Sequence, residues 1–225
     1  MEQLYSLIQR LMKKKTRVRI IGTEGLTPIK VTSKIRIIDK VPLIDTDRIA
    51  KELVVQPPGD STMCVSFALY NAILAQKLSK SIESDLPFTP DSLHKIVQGD
   101  EKVKTSGMLT DRGVYHLFTY AGELLEQSGT GIFVNGIPER SIESFVDNVA
   151  RGDTGVIFDQ SRNHEIAIIG FENDRVVTFD SLGSRIVKTK REDFIKRGMP
   201  AAGMGHRLIS TTRFEMDEGM PRKIG

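Results

Sequence analysis

The sequence predicts an α+β fold, on three observations. Apolar residues recur at helical spacing between about residues 63 and 127, and short β-like runs rich in branched residues dominate from about 131 onwards. The two kinds of segment are segregated rather than interleaved, which favours helices beside antiparallel strands over repeated βαβ units. The expected division is a basic N-terminal segment over residues 1–45 and a main domain over 46–225. That domain would have a helical half over about 56–130 and a β half over about 131–215.

In chain order, Leu4, Ile8, Leu11 and Met12 share one face of a short opening helix, which ends in Lys13, Lys14 and Lys15. The segments "RVRIIG" and "KVTSKIRII" follow as strands. "VQPPGDS" breaks any regular element, since Pro fixes φ while Gly, Asp and Ser favour turns. From Met63 to about Leu78, Val65, Ala68, Leu69, Ala72 and Ile73 recur at helical spacing. Phe67 and Leu74 widen that face until the helix reads as mostly buried. "FTPDSLHKIVQ" is a helix with Thr89 at its N-cap and Pro90 at its first position.

Thr110 caps a stronger helix, with Val114, Leu117, Phe118, Ala121, Leu124 and Leu125 facing inward and Gly129 just past its end. "GIFVNG" reads as a strand, "SIESFVDNVARG" as a helix closed by Gly152, and "TGVIFD" as another strand. The remainder is β-rich: "HEIAIIGF", "DRVVTFD", "SRIVKTK", a short helical "REDFIKRG", and "HRLISTTRFEM".

A chain of 225 residues with 39% hydrophobic content can bury a substantial core. Its one cysteine excludes an internal disulfide and the paired cysteines of a structural zinc site. No run approaches the roughly 20 apolar residues of a membrane span, and the N-terminus lacks the order of a secretory signal. A reduced, cytoplasmic protein is the expectation, or one delivered into another cell's cytosol. The net charge of +3 is uneven, with ten Lys or Arg in the first 40 residues against Glu2, Glu24 and Asp39. Such an arm could touch nucleic acid or an anionic surface. With Tyr5 alone available for base stacking, a solvated helix end beside a docked basic strand is the better reading.

Chemistry concentrates at Cys64, where a turn-rich segment becomes an apolar helix behind the capping types Asp60, Ser61 and Thr62. A helix N-terminus favours the thiolate, the nucleophilic form, and its free N–H groups point where an oxyanion would form. A buried structural cysteine is the ordinary alternative, so Cys64 needs partners. Of the four histidines, His94 and His116 read as surface or boundary residues of helices, and His206 is a reserve after the glycine-rich "AAGMG". His164 opens an apolar strand that turns directly into a second one. If Glu172, Asn173 and Asp174 form a three-residue turn, Ile166 faces Asp180, and Asp180 becomes a diagonal same-face neighbour of His164. A turn longer by one residue would put the two on opposite faces unless a bulge intervened.

With these residues on the page, the chain resembles the papain-like cysteine peptidase superfamily. "QPPGDSTMCVSFALYNAI" is similar to that family's segment from oxyanion glutamine to nucleophile, and "NHEIAIIGFENDRVVTFDSLG" to its histidine strand, turn and following strand. The resemblance implies a helical left subdomain whose nucleophile helix packs on a β-rich right subdomain. It implies Cys64 as nucleophile, His164 as its ion-pair partner and general acid/base, Asp180 as orienter of the imidazole and Gln56 as oxyanion donor. It implies no cofactor and no metal. Residues 1–45 would be an accessory or pro-like segment. The chain departs from the family's pattern in its longer Gln56–Cys64 interval, in Val65 where tryptophan is usual, and in Asp180 where asparagine is commoner.

The expected function is therefore a thiol hydrolase cleaving peptide or amide bonds of a protein or peptide substrate through a Cys64 thioester. The alternatives are a glutamine deamidase or acyltransferase, or a catalytically silent papain-like binding module with a basic arm. A nucleotide-dependent enzyme is disfavoured because "GTGIFVNG" lacks the Lys-Ser/Thr of a phosphate loop.

Overall fold

The computed structural model describes residues 45–58, 63–98, 104–105, 108–109, 111–135, 139, 141–159, 164–197 and 206–211. All belong to the second of the two units into which the chain divides, Met1–Asp39 and Lys40–Gly225. The expected opening helix, the two basic strands, the caps at Asp60–Thr62 and at Thr110, and the basic arm lie outside the described residues.

Helices α1 (Thr46–Glu52), α2 (Cys64–Ser79), α3 (Pro90–Gln98) and α4 (Asp111–Gln127) come first, with a two-residue ribbon of β1 (Lys104–Thr105) and β2 (Met108–Leu109) between the last two. Then follow β3 (Phe133–Val134), α5 (Ile142–Ala150), β4 (Thr154–Asp159), β5 (His164–Glu172), β6 (Arg175–Asp180), β7 (Arg185–Lys190), α6 (Arg191–Lys196) and β8 (Arg207–Ser210). The last six strands form one sheet in the order β3-β8-β4-β5-β6-β7, antiparallel throughout. The fold is thus a mixture of helices and antiparallel sheet, as the segregated pattern predicts. No helix among the described residues is long and apolar enough to cross a membrane.

Strand alternation gives the sheet two apolar faces. Val156, Ala167, Ile169, Val177, Phe179 and Ile209 pack with Leu69, Ala72 and Ile73 of α2 and with Leu117, Phe118 and Leu125 of α4. Ile157, Ile168, Val176 and Leu208 pack on the other side with Phe145, Val146 and Val149 of α5 and Phe194 of α6. Helix α2 is apolar on nearly all sides because helix and sheet surround it. Each fully buried Leu or Ile contributes about 1.5–3 kcal/mol by leaving water. Thr154 on β4 donates to the Ala72 carbonyl at 2.6 Å and ties helix to sheet. On β4, Gly155 allows close approach: a Cβ there would lie 2.5 Å from the Arg207 carbonyl oxygen and 2.8 Å from the Phe145 ring.

Three readings of the sequence need correction. Helix α1 was not foreseen; Asp45 caps it by accepting from the Arg48 N–H at 3.0 Å. His94 is buried rather than at the surface, because α3 lays its inner face on the core. The β5–β6 turn has two central residues instead of three. Asn173 and Asp174 both take positive φ, as a type I′ turn requires, and Glu172 pairs with Arg175.

Such a turn alone would put His164 and Asp180 on opposite faces. The register shifts between Ile168 and Gly170, however, so the extra residue restores the pairing of Ala167 with Phe179. Ile166 therefore stands opposite Asp180, as the sequence reading expects, by a different route.

Candidate active site

Cys64 is the first residue of α2 and is buried. The helix starts there without a side-chain cap from Met63. Its sulfur meets the main chain at the beginning of β5, where the Glu165 N–H points at it, joined by the N–H groups of Val65 and of Cys64 itself. These three donors favour a thiolate, but burial outweighs them and pushes the Cys64 thiol above its ordinary range. The resemblance implies a thiolate held by an imidazole, an ionised form that this loss of water opposes.

His164 begins β5 and Asp180 ends β6, both buried. The His164 Nε2 lies 2.8 Å from Asp180 Oδ1. The same oxygen accepts the Leu182 N–H at 3.1 Å. An oxygen that accepts twice calls for a donor at Nε2, so the neutral form of the ring carries its lone pair on Nδ1. Nδ1 is then the nitrogen able to take a proton from a thiol.

Gln56 sits in an extended strap after α1 and is 1% exposed. Its N–H donates to the Ser181 carbonyl at 3.0 Å, and its Oε1 accepts from the Ser181 hydroxyl at 3.4 Å. That makes the amide NH2 the donating end of the side chain. Two residues earlier, Asn71 of α2 clamps Val54, accepting its N–H at 2.8 Å and donating to its carbonyl at 2.9 Å. Asn71 is two helical turns beyond Cys64, so the strap is fastened to α2 at one point and to the β6 end at another.

The four expected residues are thus linked in two ways. His164 and Asp180 are bonded directly, whereas Cys64 and Gln56 join them through immediate neighbours, Glu165 and Ser181. The reserve, His206, does not join. Its ring is buried 4.9 Å from that of Phe145, and the loss of water lowers its pKa. Among the described residues no group of three or more His, Cys, Asp or Glu could hold a metal ion.

Sequence reasoning missed Asn71 and Glu165. The first is signalled by a lone amide within an otherwise apolar helix stretch. The second is signalled by a carboxyl at an apolar-strand position, inside "HEIAIIG".

A search of solved structures matches the crystal structure of the peptidase domain of Streptococcus ComA, a bi-functional ABC transporter involved in a quorum-sensing pathway. The identity is 14% and the TM-score 0.41, over 70% of this chain and 95% of that one. No protein-family model matches the chain, and neither does any curated protein.

Proposed function

We propose that the chain is a papain-like thiol hydrolase that cleaves peptide or amide bonds, with Cys64 as nucleophile, His164 as general base and acid, Asp180 as orienter and Gln56 as oxyanion donor. The observation that carries this reading is the 2.8 Å contact of His164 Nε2 with Asp180 Oδ1, made by the residue next to the one whose N–H meets the Cys64 sulfur.

The steps follow from the tautomer. As a carbonyl arrives, the Cys64 proton passes to His164 Nδ1 and the sulfur bonds to the carbonyl carbon. The oxygen gains negative charge, which the Gln56 amide and the N–H groups at the start of α2 stabilise. Collapse breaks the C–N bond, and the amine leaves with the proton from Nδ1. Water then attacks the thioester, giving one proton to Nδ1, and the acid departs as that proton returns to sulfur. Asp180 keeps the ring in one tautomer and offsets its positive charge while Nδ1 holds the proton.

The buried, neutral thiol favours one rival, a silent module of the same fold. Incubation with a peptidyl electrophile and adduct mapping by mass spectrometry separates the two. The hydrolase modifies Cys64 in the folded state and loses that selectivity in His164→Ala, whereas a silent module shows no such dependence. A peptide library digested by wild type but not by Cys64→Ala would establish turnover, and release of ammonia from glutamine without chain cleavage would redirect the reading to a deamidase.

A further inference from the structure

Glu165 has no part in the reaction drawn above, yet its carboxyl lies wholly inside the protein. The residue is 2% exposed and its Oε1 has no hydrogen-bond partner among the described residues. Leaving a carboxyl in such a place costs several kcal/mol if it is charged, roughly, and less if it is neutral.

Its surroundings are defined by register. Alternation puts Glu165 on the face of β5 that packs against α2, with Ala167. Its partner on β4 is Phe158, and two residues back along β4 Val156 pairs with Arg207 of β8. Glu165 and Arg207 therefore share one face across a single intervening strand. Arg207 is 2% exposed, with its guanidinium 4.9 Å over the Phe118 ring of α4, and its charge acts on the Glu165 carboxyl. From α2 the group facing that carboxyl is Cys64, whose ionisation it opposes. Phe158 and Val156 of β4 are apolar. His164, the preceding residue of β5, is bonded to Asp180 rather than to this carboxyl.

We propose that Glu165 is a positioning residue for the nucleophile: its carboxyl, held between the Cys64 thiol and the Arg207 guanidinium, governs how readily that thiol gives up its proton. The inference rests on the hydrolase reading only for the importance of Cys64. Burial raises the Glu165 carboxyl to about 8, against the pull of Arg207. Neutral, it leaves the thiol alone; ionised, it places a negative charge beside the sulfur and opposes a thiolate. Reactivity of Cys64 is thereby restrained above about pH 8 and unrestrained below.

Cys64 is the chain's one cysteine, so alkylation by iodoacetamide reports it directly, with no substrate needed. The rate is measured against pH for wild type, Glu165→Gln and His164→Ala. The expected result is alkylation about threefold to tenfold faster in Glu165→Gln between about pH 8 and 10, with superimposed profiles below about pH 7. Profiles that superimpose throughout, or a uniform fall at every pH, would overturn the inference. Should Glu165→Gln fail to fold with Arg207 left charged, the double variant Glu165→Gln/Arg207→Gln carries the same test. His164→Ala separates the two ideas. If its loss leaves neutral-pH reactivity unchanged, the hydrolase reading fails, while the alkaline gain of Glu165→Gln still decides the present one.

Discussion

Strand β5 carries two glutamates with opposite fates. Glu172, near the hairpin turn, accepts from the Thr46 hydroxyl at 2.6 Å and from Lys188 Nζ at 2.9 Å, and these bonds hold its carboxyl below the usual range. Glu165, at the other end, is covered by helix α2 and pushed up to about 8 by loss of water. Residue type and strand are the same. What differs is whether donors and solvent reach the carboxyl, and in this molecule the covered end is also the end that holds Cys64, His164 and Asp180. The strand thus runs from a solvated ion pair to a dry terminus.

The sharpest way to test that contrast is at the covered end. If the end is built for chemistry, Cys64→Ala and His164→Ala should each lower hydrolysis by at least about a thousandfold, read as kcat/KM on a cleaved peptide. Asp180→Ala, which removes the acceptor for the Nε2–H, should cost about a hundredfold or more and fall mainly on kcat.

A smaller effect concerns stability. The Glu165 carboxyl keeps its proton to about pH 8 when folded but only to its ordinary 4.5 when unfolded. Between those values the folded state binds more protons, so stability falls as pH rises across the window, by up to about 1.4 kcal/mol per pH unit. Urea midpoints from pH 5 to 8 should show this slope in wild type, and Glu165→Gln should remove it. An unchanged difference between the two proteins would place Glu165 in water and erase the contrast with Glu172. At the solvated end the expectation is slight: Lys188→Ala should shift the melting temperature little, and less still at high salt, because an exposed pair is screened.

How much of this could be read from the sequence is itself uneven along the chain. Periodicity exposed α2, α4 and the late strands because their apolar residues must face a core, and it placed Cys64 at a helix start. Capping chemistry found Thr89, whose hydroxyl accepts the Ser92 N–H at 3.2 Å. The pairing of His164 with Asp180 was legible only as a condition on register. Turn length and bulge compensate one another here, and no local propensity announces Ile169 as the extra residue. Asn71 and Glu165 stayed hidden for another reason: their meaning lies in contacts with Val54 and with the Cys64 and Arg207 side chains, distant in sequence. Helix α1 is short, and its single buried apolar residue, Ile49, gives no periodic signal.

The strap from Val54 to Gln56 sets a mechanical limit on the site. One end is pinned to Asn71 on the helix and the other to Ser181 past the hairpin strand, and two residues of fully stretched chain reach only about 7 Å. Helix and hairpin cannot swing apart further than that tether without tearing one of its fastenings. Any wider gape would show first as exchange of the Val54 or Gln56 amide hydrogen with solvent.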